Sequence, residues 1–478
     1  MSSNNSGSPV PKRGKTIELT IEKFADKGMA LARVDGFVVL VREGVPGDRV
    51  NARIYKKKKN YAEAEIEDVL EPSDLRTEPR CYYFSTCGGC RWQHVSYDAQ
   101  LQAKKESVEG ALIHQGGFDL EQVEVRPTIG APDIYFYRNK MEFSFSAQRW
   151  LTPEEIATGK DFDTDFALGL HVPGNPFKVL DLHECHLQSE VSQRLVNGVR
   201  DFAKKHEWAP WHIRKHEGFL RHLVIRQAAN TGDLMVNLVT NGYDEERMEL
   251  LSGFLQREFP EVTTLVNTIN TGVAQTAFGE AIHTIYGPGV IHDKIGSYRF
   301  QIASNAFFQT NTRQAERLYE VAKSFGNFQP DDLVYDLYCG AGTISIYIAD
   351  AVKRVVGVEL VEEAVANAKT NAELNGVDNC SFVSGDMKEL FTADFVEQHG
   401  RPDVLLVDPP RGGMHPDVVK QIRALRPPRF VYVSCNPQTQ ARDLSMLSGA
   451  YTIEDVQPVD LFPHTQHIEN VVSLTAQQ

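Results

Sequence analysis

From Ala306 onward, short apolar strands alternate with helix-like runs, and no other feature restricts the fold of this chain so tightly. The strands read "LVYDLYC", "RVVGVEL", "CSFVSGD", "DVLLVDPP" and "FVYVSCNP". Near-continuous Val, Leu and Ile runs imply burial on both faces, which a parallel sheet covered by helices provides. Ligands of such sheets bind beyond the carboxyl ends of the strands. Each polar motif of this region falls at one of those ends. The expectation is a Rossmann-like α/β domain over residues 306–478.

The glycine turn in "VYDLYCGAGTISI" leads from a strand through Gly340 and Gly342 into a helix. Its glycines let the backbone approach a ligand, and the helix start offers free amides. Many nucleotide folds share that device, so the following strands must narrow it. Glu359 ends the second strand, where a carboxylate can accept from both ribose hydroxyls. Asp386 closes the third strand, and Asp408 opens "DPP" after the fourth. An acid after each of several strands matches the S-adenosylmethionine pocket of Rossmann-like methyltransferases. A dinucleotide dehydrogenase fits less well, because the G-x-G-x-x-G fingerprint is absent. Taken singly, Glu359 or Asp386 could instead cap a helix.

Cys435 stands between the apolar run "FVYV" and the Asn436-Pro437 stop, at the mouth of the fifth strand. Packing is the ordinary fate of a buried cysteine, but a strand end beside a methyl donor favours a nucleophile. Local amides and Arg411 are expected to favour the thiolate. The need for a thiol points to the substrate atom. Nitrogen and oxygen attack a methyl donor through their own lone pairs, whereas C5 of uracil has none. A thiolate adding at C6 makes C5 nucleophilic. A base must then take the C5 proton so that the cysteine can leave. Glu469, entering a terminal strand in "HIENVVSL", is the candidate; a solvated strand-end carboxylate is the alternative. Asp408 could hold either the pyrimidine edge or the donor.

Seven cysteines is an odd count in a long chain, and favours metal or catalytic roles over a disulfide framework. "CYYFSTCGGCRW" supplies Cys81, Cys87 and Cys90, and "LHECHLQ" adds Cys185. Four thiolates could hold zinc or an iron–sulfur cluster, and residue type alone does not choose. Cys339 and Cys380 read as structural.

The 478 residues exceed one compact core, so two or three domains are expected. Residues 1–11 read as a disordered tail, with no signal peptide and no membrane-spanning run, and the protein is expected to be cytoplasmic. Segment 12–71 shows Gly and Asp-Gly turns between Val- and Ile-rich runs, the pattern of a small OB-like β-barrel. The net charge of −14 argues against a nucleic-acid partner until its distribution is considered. Residues 1–60 carry a surplus of +7, including the run Lys56-Lys57-Lys58-Lys59, leaving −21 for the remainder. That run is either a solvated face or a phosphate-contacting surface. Segment 72–305 reads as a central α+β domain interrupted by a helix over 97–115. Within it, Trp208 and Trp211 among Lys, Arg and His offer either base stacking or packing.

Taken together, "FFQTN", "DLYCGAGT", "DPPRGG", "SCNP" and "HIEN" resemble, in order, the motifs of the S-adenosylmethionine-dependent RNA uridine-C5 methyltransferases. The resemblance is to the bacterial 23S ribosomal RNA branch and covers nearly the whole chain. It implies Cys435 as nucleophile and Glu469 as proton acceptor. It implies donor contacts from Gln309, Tyr338, Thr343, Glu359, Asp386 and Asp408, with Tyr338 and Thr343 standing where relatives often carry Phe and Asn. It also implies a [4Fe–4S] cluster on Cys81, Cys87, Cys90 and Cys185, a TRAM-like RNA-binding barrel, and packing of the 97–115 helix on the catalytic domain. RNA is the implied partner, ribosomal first and transfer RNA second, with no obligate protein partner. A cytosine-C5 enzyme would place cysteine directly after Asp-Pro-Pro, where Arg411 stands. An N-methyltransferase would leave Cys435 and Glu469 without a task, and a decayed RNA-binding scaffold would not keep the whole set.

Overall fold

In the strand Arg49–Lys57, Val50, Ala52 and Ile54 are fully buried while their neighbours face outward, the period of two that a half-buried strand requires. This computed structural model describes residues 12–390 and 392–477; the expected tail, 1–11, lies outside the described residues. The described chain groups into two units. The first extends to Ala103 and takes in Phe462–Gln466, and the second comprises Lys104–Leu461 and the chain from His467.

In the first unit, six strands pair in the order Thr16–Thr20, Arg49–Lys57, Tyr61–Glu71, Phe37–Arg42, Ala30–Val34, Lys23–Phe24. Their core is unusually small in side-chain size, with Ala30, Ala32, Ala52, Ala62 and Ala64 beside Leu19, Val39 and Val41. The lysine run falls at the hairpin between the two longest strands, and residues 56–60 are all exposed. Lys56 pairs with Glu63 at 2.7 Å. The segment after this sheet, carrying Cys81, Cys87 and Cys90, is turns rather than strands.

The second unit holds an eight-stranded sheet whose inner strands include Leu220–Gln227, buried up to Arg226, and the fully buried Leu234–Thr240. It also holds the expected parallel sheet. Strands follow the order Cys380–Ser384, Arg354–Glu359, Leu333–Leu337, Val404–Val407, Arg429–Ser434, Glu469–Ala476, Tyr451–Val459. The first five are parallel and Glu469–Ala476 runs antiparallel to its neighbour. Strand order reverses between Leu333–Leu337 and Val404–Val407, so a crevice opens at their carboxyl ends. The helix Tyr97–Ala111 continues into a π-helical turn, Leu112–Gly116; Val108, Ala111 and Leu112 join the apolar core of this sheet.

Trp208 and Trp211 are 5% and 2% exposed, which corrects the base-stacking alternative. Trp208 meets Phe202 and Phe219 edge-on, and Trp211 lies under the Arg221 guanidinium at 4.2 Å. Aromatic area removed from water wins over display for RNA. Lys204, Lys205, Arg214 and Lys215 of the same stretch remain exposed. Among the described residues no helix is long and apolar enough to cross a membrane.

Candidate active site

The strand register places the two expected catalytic groups. Ser434 pairs with Asn470 as the last rung between Arg429–Ser434 and Glu469–Ala476. Cys435 and Glu469 come next at the end of that ladder, near enough for Glu469 to raise the Cys435 thiol. Two amides lock that rung: Gln440 Nε2 donates to the carbonyls of Tyr432 and Asn470, and Asn470 Nδ2 donates to Gln440 Oε1 at 2.8 Å. Beyond the cysteine, Asn436 caps the helix Pro437–Leu447 by accepting from Gln438 N, and Pro437 fills the first turn, where an amide is dispensable. Asn436 Nδ2 and Thr439 Oγ1 both donate to the Arg411 carbonyl, tying the "DPPRGG" loop to the cysteine turn.

Electrostatics at this rung are dominated by burial and like charge. The half-buried Cys435 thiol is pushed up to about 11, first by burial, then by Glu469 and Asp408. Arg411 acts in the opposite direction, as expected, but is outweighed; the thiolate is disfavoured in the ligand-free protein. Glu469 is 3% exposed, and burial, with Asp408 adding, holds its carboxyl well above the usual range. Asp408 itself is raised to about 7 by burial and by Asp336. Asp336 is also raised to about 7; Ser345 Oγ donates to its Oδ2 at 2.5 Å. An acid cluster of this kind stores negative potential that a cation would release.

Around the glycine turn, Tyr338, Gly340 and Gly342 have φ of 68°, 54° and 74°, a left-handed bend that glycine adopts without strain at two of its three positions. A Cβ on Gly340 would meet nothing within 4 Å, so the space beside it is open. Gly342 caps the helix Thr343–Ile348 without a side-chain hydrogen bond. Glu359 accepts from Gly340 N at 3.1 Å and Val361 N at 3.0 Å, so it braces the turn. Thr343 Oγ1 meets Tyr319 Oη at 2.9 Å, and Tyr319 feels Asp408, Asp336 and Glu469. Gln309 is 8% exposed, and its side-chain amide makes no hydrogen bond among the described residues. These features fit a bound S-adenosylmethionine. Asp386 differs: its Oδ1 accepts from Lys388 N at 3.0 Å, the capping role weighed as its alternative.

Sequence reasoning missed Tyr319, Asp336 as a buried acid, and His467, whose Nδ1 lies 2.8 Å from an Arg411 guanidinium nitrogen. His467 stands inside "HIEN", which is a signal; Tyr319 has none. Cys339 is buried, and burial raises both its thiol and that of Cys380. Their structural reading fits that.

No cysteine among the described residues is in a disulfide. Gly89 N donates to Cys87 Sγ at 3.4 Å, a contact that suits a thiolate ligand. Among the described residues, however, no group of three or more His, Cys, Asp or Glu side chains is gathered to hold a metal ion. In the same unit, the amides of Arg91 and Trp92 both donate to the His464 carbonyl, at 2.8 and 3.0 Å.

A seven-stranded Rossmann-like sheet with an open glycine turn and an acid-lined crevice defines an S-adenosylmethionine-dependent methyltransferase. Comparison with known proteins narrows the class. Residues 289–477 match the family "tRNA (Uracil-5-)-methyltransferase", and residues 11–66 match the TRAM domain. An RNA methyltransferase of Bacteroides thetaiotaomicron, described as uncharacterized, is 44% identical over 94% of this chain and 99% of its own length. One from Chlorobaculum tepidum, similarly described, is 45% identical over 96% of both chains. Among solved structures, the Pyrococcus abyssi tRNA (uracil-54, C5)-methyltransferase bound to S-adenosyl-L-homocysteine is 29% identical. It covers 96% of this chain and 99% of its own, with a TM-score of 0.75. The chain belongs to the S-adenosylmethionine-dependent RNA uracil-5-methyltransferase family and carries an N-terminal TRAM domain.

Proposed function

We propose that this enzyme methylates C5 of a specific uridine in 23S ribosomal RNA, in the cytoplasm, with Cys435 as nucleophile and Glu469 as proton acceptor. The observation that supports the reading is that the paired strands end at Ser434 and Asn470, beside Cys435 and Glu469, and that Glu469 lies near enough to raise the Cys435 thiol. S-adenosylmethionine, when bound, supplies the methyl group on a cationic sulfur. The Cys435 thiolate bonds to C6 of the uracil, the C5–C6 π electrons move to C5, and C5 takes the methyl group as its bond to the donor sulfur breaks, leaving S-adenosyl-L-homocysteine. Glu469 then accepts the C5 proton, the C5–C6 double bond re-forms, and the C6–S bond breaks to return the thiolate. Positive charge in the pocket attracts all three anions alike, so it favours the carboxylates of Asp408 and Glu469 and the Cys435 thiolate when the pocket is filled.

Gln309, Tyr338, Thr343, Glu359 and Asp408 are the proposed donor contacts; Asp386 contributes through the turn it caps. The cluster assignment to Cys81, Cys87, Cys90 and Cys185 is supported by their residue type and by the amide on Cys87. Iron and sulfide analysis of anaerobically prepared protein tests it, and zinc alone would overturn it. Transfer RNA is the second substrate reading, favoured by the likeness to the Pyrococcus abyssi enzyme.

The test is labelled-methyl transfer to separated ribosomal and transfer RNA pools, followed by mapping of 5-methyluridine. RNA containing 5-fluorouridine should leave a covalent adduct at Cys435, because fluorine cannot depart as a proton. Turnover without any such adduct refutes the scheme.

A further inference from the structure

The stretch 304–311 has no regular secondary structure, yet it carries Gln309 and leads into the helix Thr312–Gly326 that bears Tyr319. Irregular backbone near a buried site needs donors and acceptors from elsewhere. Here they come from the eight-stranded sheet. Arg226, 3% exposed, donates through Nε to the Ser304 carbonyl at 3.2 Å and through Nη2 to the Ala306 carbonyl. Asn139, 8% exposed, donates through Nδ2 to the Gln309 carbonyl at 2.7 Å and to Thr312 Oγ1 at 2.8 Å. Its backbone amide donates to the Thr310 carbonyl, and its own carbonyl accepts from Gln227 N. Thr312 Oγ1 passes the chain on to Asp293, which is fully buried and also accepts from Ala229 N and Asn230 N.

Arg226 has no ion pair among the described residues; the nearby Glu142 is paired with Lys140. Burying a guanidinium without a carboxylate is costly, and an apolar side chain would fill the same space without that cost. What an apolar residue cannot do is hold two carbonyls of a strandless segment in fixed directions. The segment's other side is fastened as well, by Asn305 Nδ2 on Glu363 Oε1 at 2.7 Å. Groups that position a donor lose much of their value if displaced by an ångström.

We propose that Arg226 and Asn139 are positioning residues for methyl transfer: they fix segment 304–312 so that the Gln309 amide is held ready for the donor. This rests on the reading of Gln309 as a donor contact. It makes the eight-stranded sheet part of the methyl-transfer machinery.

The experiment is a double-mutant cycle on the full chain with S-adenosyl-L-homocysteine binding, labelled-methyl transfer and hydrogen exchange as readouts. Arg226→Met is expected to weaken ligand binding about tenfold and to lower kcat with little change in KM for RNA. Faster amide exchange should be confined to 304–312, and Arg226→Lys should recover part of each loss. In a Gln309→Ala background, Arg226→Met should cost little more, because the positioned group is gone. Full additivity of the two losses, or unchanged exchange and binding in Arg226→Met, overturns the proposal. Asn139→Ala should reproduce the Arg226→Met pattern, so misfolding of one variant leaves the other to decide. If Gln309→Ala alone leaves binding unchanged, the donor-contact reading is what fails.

Discussion

Alkylation of Cys435 in the ligand-free enzyme gives the most direct check on the site's electrostatics. With its thiol at about 11, the ionised fraction at pH 8 is on the order of one in a thousand, against about one in four for an ordinary cysteine near 8.5. The more basic thiolate is also the better nucleophile, which returns roughly a tenfold advantage. The net expectation is labelling by iodoacetamide about twentyfold slower than a free thiol at pH 8. The rate should climb close to tenfold per pH unit up to about pH 10 without levelling off. Mass spectrometry of the peptide carrying Cys435, across pH 7 to 10.5, reads it. Saturating S-adenosylmethionine should shift the curve to lower pH, because its charge offsets Asp408 and Glu469, whereas the neutral S-adenosyl-L-homocysteine should not. A plateau near pH 8.5, or equal effects of the two ligands, would refute the reasoning.

Asp336 and Asp408 sit at about 7 when folded, against about 3.9 unfolded. The folded state therefore binds more protons between those values, and stability should fall as pH rises from about 4 to about 7, then level off. Asp336→Asn should reduce that fall and raise the stability at pH 8 by up to about 4 kcal/mol as an upper limit; thermal melts across pH decide it, and an unchanged profile counts against the buried charge. Glu469→Gln should lower kcat by about 10²–10⁴-fold and accumulate methylated RNA still bonded to Cys435, seen as a gel-shifted adduct with ordinary uridine RNA. Trp211→Ala should cost about 3–5 kcal/mol of stability in denaturant titrations. Replacing Lys57, Lys58 and Lys59 with Ala should leave stability unchanged but lower the slope of log affinity against log salt by about two, on single-stranded RNA.

The catalytic sheet was legible because its information is local. Each of its five parallel strands is a contiguous apolar run ending in a polar motif, and the motif's function follows from where the run stops. Gly340, Glu359 and Asp408 were found that way, as was Cys435. Asp386 was legible only as two alternatives, since a carboxylate one residue before a helix caps it whether or not a ligand is near. The tryptophans of 204–226 misled because sequence gives their neighbours along the chain and not the depth at which they lie.

Charge patterning, strand punctuation and motif order were set by the sequence itself, since each depends on residues a few positions apart. The approach of Glu469 to Cys435, 34 positions apart, and the clamp of Arg226 on carbonyls some 80 residues on, required the folded chain. So did the rise of the thiol to about 11. Burial and charge act through space, and only the tertiary structure brings three acids and a sulfur into one low-dielectric crevice.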